Sequence, residues 1–191
     1  MTDEKKDVGR PSGRRSPEDR PSVIGEGKFL RLNKIGRWEF VSRIRASGAV
    51  HIMATTSDGR IILVEQERVP VGARTIELPA GIVGDEAAHH EEKVEHCALR
   101  ELMEETGFAS HEARVVYSGP TAPGLTSEMV HLARIVNAEK SGVGGGVEGE
   151  DITVHLVEPA ELEQFLARKK GEGLLIDPRI YLGLHFLRTE V

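Results

Sequence analysis

From Lys28 onward the chain is patterned in short stretches. KFLRLNKI and WEFVSRIR set apolar side chains, Trp38, Phe40 and Ile44 among them, between polar neighbours, the period of strands with one face buried. AVHIMATT and RIILVEQERV follow as further strands, joined by SDGR, whose Asp58-Gly59 pair suits a tight hairpin turn. TIELPAGIV predicts a strand ending in a Pro and Gly turn, HEARVVYSG and EMVHLARIV two more, and VEGEDITVHLVE the last. A helical period replaces this pattern in three places: from about 91 to 106, in AELEQFLARKK closed by Gly171, and from Asp177, an N-cap with Pro178 in the first helical position. Strands, one helix, strands and two helices predict an α+β domain with a mixed sheet between helices. The strand-helix alternation of a doubly wound nucleotide fold is absent. SGVGGGVEG reads as a flexible connection, because it lacks the Lys and Ser/Thr of a phosphate-cradling loop and opens no helix.

Composition sets the limits. The 191 residues, 39% of them hydrophobic, suit one well-cored domain. Residues 1–25 are rich in charge, Pro, Ser and Gly, too polar to offset the entropy of ordering. They are expected to form a disordered tail ahead of a domain over 26–191. A net charge of −6, from 31 acidic against 25 basic residues, leaves no broad cationic surface for nucleic acid. No apolar run is long enough to span a bilayer and the first residues lack the apolar core of a secretory signal, so a soluble cytoplasmic protein is expected. Cys97 has no second cysteine to pair with and falls in a helical pattern, where a small buried thiol is the ordinary role. His89, His90 and His96 lack the spacing and cysteine partners of a zinc site and read as solvated histidines.

The chemistry concentrates in RELMEETGF, residues 100–108. At about 100° per residue, Glu101, Glu104 and Glu105 share one arc of this helix, while Ala98, Leu99, Leu102 and Met103 occupy the adjoining one. Like charges at this spacing repel by a few tenths of a kcal/mol per pair. A hard divalent cation would relieve that, since Mg²⁺ bridges one or two carboxylates to substrate phosphates. Gly107 stands where the helix must turn away.

With ELPAG at 77–81, this stretch resembles the signature of the Nudix hydrolases, which cleave nucleoside diphosphates linked to another group. The signature's second half is complete in Arg100, Glu101, Leu102, Glu104, Glu105, Gly107 and Phe108. In the first half Gly81 precedes Arg100 by nineteen residues, where the family spacing is fourteen, so about five residues are inserted around AAHHEEKVE. Either Glu86 or Glu92 takes the upstream acidic position. The resemblance implies a Nudix-type α/β/α sandwich, with Mg²⁺ or Mn²⁺ held by Glu101, Glu104, Glu105 and the Ala80 carbonyl.

Three further stretches resemble the ADP-ribose pyrophosphatase branch: WEFVSR at 38–43, VEQERVP at 64–70 and GPTAPGLTSE at 119–128. By that resemblance Trp38 stacks on adenine, Arg43 and Arg68 hold the diphosphate, and Pro123, fifteen residues beyond Phe108, accompanies ADP-ribose preference. Glu128 acts as the general base and Arg100 belongs to the catalytic helix. The implied reaction gives AMP and ribose 5-phosphate. The alternatives are another nucleoside diphosphate sugar such as GDP-mannose, or a non-catalytic sensor of such a ligand. The resemblance also implies a homodimer that uses the N-terminal strands, about 28–45.

Overall fold

A computed structural model describes residues 20–46, 48–84, 92–146 and 149–188. Three antiparallel strands come first: β1 (Ser22–Glu26), β2 (Leu30–Ile35) and β3 (Trp38–Arg43), in that order in their own sheet. Strand β1 falls inside the segment assigned to the tail. Its SVIGE sequence is short and mostly exposed, and only pairing with β2 orders it. Residues 1–19 of that segment lie outside the described residues.

The second sheet is large and mixed. It is centred on β4 (Gly48–Thr56), whose nine residues are all buried. On one side β4 runs parallel to β10 (Met129–Lys140). On the other it pairs first with β7 (Ala80–Val83) and then with β5 (Ile61–Arg68). Strands β6 (Ala73–Glu77), β11 (Thr153–Val157) and β12 (Leu175–Ile176) extend the sheet beyond β5, while β8 (Phe108–Ala109) and β9 (Arg114–Pro120) pair with β10. The SDGR turn closes as expected, with Gly59 at φ 87.

Side-chain alternation splits the core into two layers. Val50, Ile52, Ala54 and Ile62 face α1 (Val94–Glu101), meeting Cys97, Ala98 and Leu102. Met53, Ile61 and Leu63 face the other way, onto Phe165 and Leu166 of α2 (Leu162–Gly171) and Ile180 and Leu184 of α3 (Arg179–Arg188). This is the α/β/α sandwich the sequence predicts. Asp177 caps α3 as expected, its Oδ1 accepting the Arg179 amide at 2.7 Å. No helix among the described residues is long and apolar enough to cross a membrane.

Candidate active site

The predicted helix over 91–106 begins at Val94 and changes character after Glu101, where Leu102–Thr106 form a π turn ended by Gly107 at φ 70. The wider turn changes what the three glutamates do. They do not share one solvent-facing arc. Glu105 is only 6% exposed, whereas the Glu101 and Glu104 side chains are 16% and 38% exposed.

The start of β7 receives two of these carboxylates. The Ala80 amide donates to Glu105 Oε2 at 3.0 Å. Glu101 lies flat against Gly81, where any Cβ would overlap its Cγ, Cδ and Oε1. The Gly of ELPAG is therefore needed for close approach. Burial, opposed by the Ala80 amide and reinforced by the charges of Glu101 and Glu150, pushes the Glu105 carboxyl up to about 8.

Arg100 ties the helix together. Its Nη1 lies 2.9 Å from both Glu101 Oε1 and Glu104 Oε2, and its Nη2 lies 3.3 Å from Glu92 Oε2. Those partners raise its pKa against the cost of burial. Glu92, one of the two upstream candidates, is thus a partner of Arg100. Glu86, the other, lies outside the described residues, as do His89 and His90. His96 is exposed and Cys97 is buried, as expected.

The predicted substrate residues fall into separate places. Arg68 forms a two-pronged pair with Glu77, Nε to Oε1 at 2.8 Å and Nη2 to Oε2 at 2.7 Å, leaving Nη1 outside that pair. Burial would raise the Glu77 pKa, but Arg68 and the Thr75 hydroxyl outweigh it and the net shift is downward. Arg68 and Glu105 also act on each other electrostatically, Arg68 opposing the rise of the Glu105 pKa. Arg43, at the end of β3, is paired instead with Glu128 at 2.5 Å. The loop before Glu128 docks on the same strand: the Val41 amide donates to the Leu125 carbonyl at 2.9 Å, and the Ser127 amide to the Val41 carbonyl at 3.1 Å. Pro123 is exposed in that loop. Trp38 is 55% exposed, with the Arg37 guanidinium 5.9 Å from its ring centroid.

Of three further features, the first was read differently from the sequence and the other two were not singled out. The first is the glycine-rich segment read as a flexible connection, which is instead a cap on the π turn. The Ser141 and Gly142 amides donate to the Gly107 carbonyl, the Gly145 amide to Glu105 O at 2.8 Å and the Gly146 amide to Glu104 O at 3.1 Å. Lys140 Nζ adds a bond to Thr106 O at 2.9 Å. A helix end has orphan carbonyls, and here a distant loop satisfies them. The second is Glu150, which folds back on this cap: a Cβ on Gly146 would overlap its Oε2. Its neighbour Asp151 is held by Arg74 Nη1 at 2.9 Å. The third is His51, buried on β4 and in register with Ala80. It accepts from Arg179 Nη1 at 2.8 Å, which requires a neutral ring; burial and the Arg179 charge bring its pKa down to about 4, against Asp177 and Glu77.

Among the described residues no group of three or more His, Cys, Asp or Glu side chains could hold a metal ion. The donor set still fits Mg²⁺, which takes one or two carboxylates and completes its shell with waters and phosphate oxygens. Glu101 and Glu105, both brought to the start of β7, are the pair that suits it.

This geometry has recognised counterparts. A family model described as the NUDIX domain matches residues 45–176. The chain is 30% identical over 149 residues to a methanol dehydrogenase activator of Bacillus methanolicus, covering 77% of this chain and 75% of that protein. It is 37% identical over 89 residues to an ADP-ribose pyrophosphatase of Bacillus subtilis (strain 168), covering 47% of this chain and 45% of that one. A GDP-mannose pyrophosphatase of Enterobacter sp. (strain 638) is 32% identical over 118 residues, covering 58% and 59%. A crystal structure of an ADP compounds hydrolase shares the fold with a TM-score of 0.62 at 18% identity, over 78% of this chain and 80% of that one. Since the family model spans more than half of the chain and takes in the whole glutamate helix, this chain belongs to the Nudix family and is a pyrophosphohydrolase.

Proposed function

We propose that the chain hydrolyses the diphosphate bond of ADP-ribose, giving AMP and ribose 5-phosphate, with Mg²⁺ or Mn²⁺ as cofactor. The observation that carries this reading is the placement of Glu101 and Glu105 side by side at the start of β7 by Gly81 and the Ala80 amide. The names of the ADP-ribose pyrophosphatase relative and of the ADP compounds hydrolase support an adenosine diphosphate as substrate.

Glu101 and Glu105, with the Ala80 carbonyl, would hold the cation, and Glu104 would stand on their outer side. A divalent cation bound there supplies charge neutralisation for the diphosphate and a more acidic water. Arg100 keeps Glu101 and Glu104 from swinging into solvent. Arg68 is pre-oriented by Glu77 so that Nη1 is presented to a phosphoryl oxygen. Glu128 is the proton acceptor in this reading, and engages the water after releasing Arg43, which then binds substrate. A second reading makes Glu150 the acceptor, because it folds back on the loop that caps Glu104 and Glu105. Turnover of Glu128→Gln against Glu150→Gln decides between them.

Trp38 and Arg43 are five residues apart on one strand, so they point to opposite faces. They do not serve one adenine-diphosphate ligand from the same face. A homodimer in which Trp38 completes the adenine pocket of the partner resolves this. Apolar side chains of the three-stranded sheet, Val23, Leu30 and Leu32, and Phe29 in the turn between β1 and β2 are exposed in the single chain and available for such an interface.

A panel of ADP-ribose, GDP-mannose and other nucleoside diphosphate sugars, assayed with Mg²⁺ and with Mn²⁺, tests the substrate. ADP-ribose should give the highest kcat/KM and EDTA should abolish turnover. Glu105→Gln should lose about a hundredfold or more in kcat, ~3 kcal/mol of barrier. Wild-type turnover in that variant at saturating Mg²⁺ would refute the assignment, and preference for GDP-mannose would move the substrate. Binding without turnover across the panel would favour the sensor.

A further inference from the structure

Among the described residues strand β9 pairs only with β10, and in their antiparallel register Arg114 stands directly opposite Arg134. Like charges across a strand pair are unfavourable, and a chain with 31 acidic residues has no shortage of alternatives. Both arginines line one cavity of about 410 Å³, together with Ser110, His111 and Asn137; Glu112 contributes one carboxylate. The Nε of Arg134 is buried and has no hydrogen-bond partner. A buried charged donor left unsatisfied calls for an explanation such as an absent anion. The strand is also shaped around the cavity. The register of β10 shifts between Ile135 and Ala138, and Asn137 within that shift adopts φ 56, rare for a residue with a side chain.

We propose that this cavity is a second, non-catalytic site for a phosphate dianion, either inorganic phosphate or the phosphoryl group of a phosphomonoester. Arg114 and Arg134 supply the guanidinium forks that match phosphate oxygens. Ser110, His111 and Asn137 supply further polar groups around them. None of these residues takes part in the proposed hydrolysis, so the site stands whether or not that reading holds.

The test is thermal unfolding of the full chain in EDTA at constant ionic strength, titrated separately with inorganic phosphate, AMP and ribose 5-phosphate. The wild type should show a saturable rise in Tm. Arg134→Met should lose that rise, with apparent affinity weakened at least tenfold, yet its ligand-free Tm should equal or exceed the wild type because a like-charge pair has been removed. Arg114→Gln should weaken the response too, and carries the test if Arg134→Met does not fold. Glu105→Gln should keep the response, which separates this site from the glutamate helix. A stronger response to AMP or ribose 5-phosphate than to phosphate identifies a phosphomonoester site; the reverse identifies free phosphate. No saturable response to any of the three, an inorganic-phosphate response that survives in both arginine variants, or one lost in Glu105→Gln would overturn the proposal.

Discussion

Replacing Gly144 with alanine probes whether the glycine-rich cap positions the glutamate helix. Gly144 sits at φ 72, and a Cβ there would overlap the carbonyl carbon of Thr106 and the amide of Gly107, which are backbone atoms with nowhere to go. The left-handed conformation alone costs an L-residue about 1–2 kcal/mol. Relieving the overlap means lifting the loop, with loss of the Gly145 bond to Glu105 O and the Gly146 bond to Glu104 O, at about 0.5–1.5 kcal/mol each. The docked loop is therefore destabilised by roughly 2–5 kcal/mol, adding these contributions. Gly145 is the internal control: its φ is 103, but a Cβ there meets nothing within 4 Å. Gly145→Ala carries a backbone cost and keeps the cap docked. With ADP-ribose as substrate, Gly144→Ala should lower kcat/KM at least tenfold and weaken Mg²⁺ activation, while Gly145→Ala should stay within about threefold of wild type, below the ~1.4 kcal/mol that marks a tenfold change. Equal losses in the two variants would show that capping by this loop does not set the positions of Glu104 and Glu105.

Gly81→Ala should separate activity from stability: its Cβ displaces only the flexible end of Glu101, so unfolding should change by no more than about 1 kcal/mol while kcat/KM falls tenfold or more; a fully active variant would contradict the close-approach argument. For His51, whose pKa is lowered to about 4 in the folded chain, the unfolded chain binds the proton first as pH falls. Its contribution is whole above pH 6.5 and is lost between 6.5 and about 4, up to ~3 kcal/mol. His51→Gln should flatten that part of the stability curve measured by urea unfolding, and an unchanged slope would refute it. Trp38 is the single tryptophan, so ADP-ribose should quench its emission, and Trp38→Ala should raise KM roughly 5- to 100-fold, the equivalent of a base-stacking contact of about 1–3 kcal/mol, with kcat little changed. A monomer in sedimentation at micromolar concentration would count against the shared adenine pocket.

The elements with strong periodicity were legible because burial enforces it. Alternation in β4 and β5 assigns Ile52 and Met53 to opposite layers, and the structure places helices on both. Asp177 marks a helix end whose hydrogen-bond needs are local, so the sequence around it suffices. Gly107 marks the end of the π turn, but its carbonyls are satisfied by a distant loop, and α2 runs through Gly171 to end at the left-handed Gly173. Strands β1, β8 and β12 were not legible. They are five, two and two residues long, and each is ordered by its partner strand, β1 by the adjacent β2 and β8 and β12 by strands far along the chain, rather than by a pattern of its own.

The candidate site divides along the same physical line. That Glu101 and Glu105 stand near one another follows from four-residue spacing on a helix, but their unequal burial does not, because a wheel drawn at the α period cannot register the π turn after Glu101. The sequence signal of the glycine cap was present as SGVGGG, yet composition cannot distinguish a segment that needs glycine for freedom from one that needs it for contact. Gly144 belongs to the second kind and Gly145 to the first. His51, Glu77 and Arg179 were invisible for a related reason: a buried polar network is assembled from β4, β6 and α3, so each member reads alone as an ordinary strand or helix residue. Charge pairing across sequence distance is the common element. It is what turns the Arg68 and Arg43 of two strands from presumed free guanidinium groups into one group fixed by Glu77 and another held by Glu128. Under the proposed reaction the same residue type would enter the site in two ways, Arg68 already oriented by Glu77 and Arg43 only after release from Glu128, and only the second would require the 119–128 loop to move.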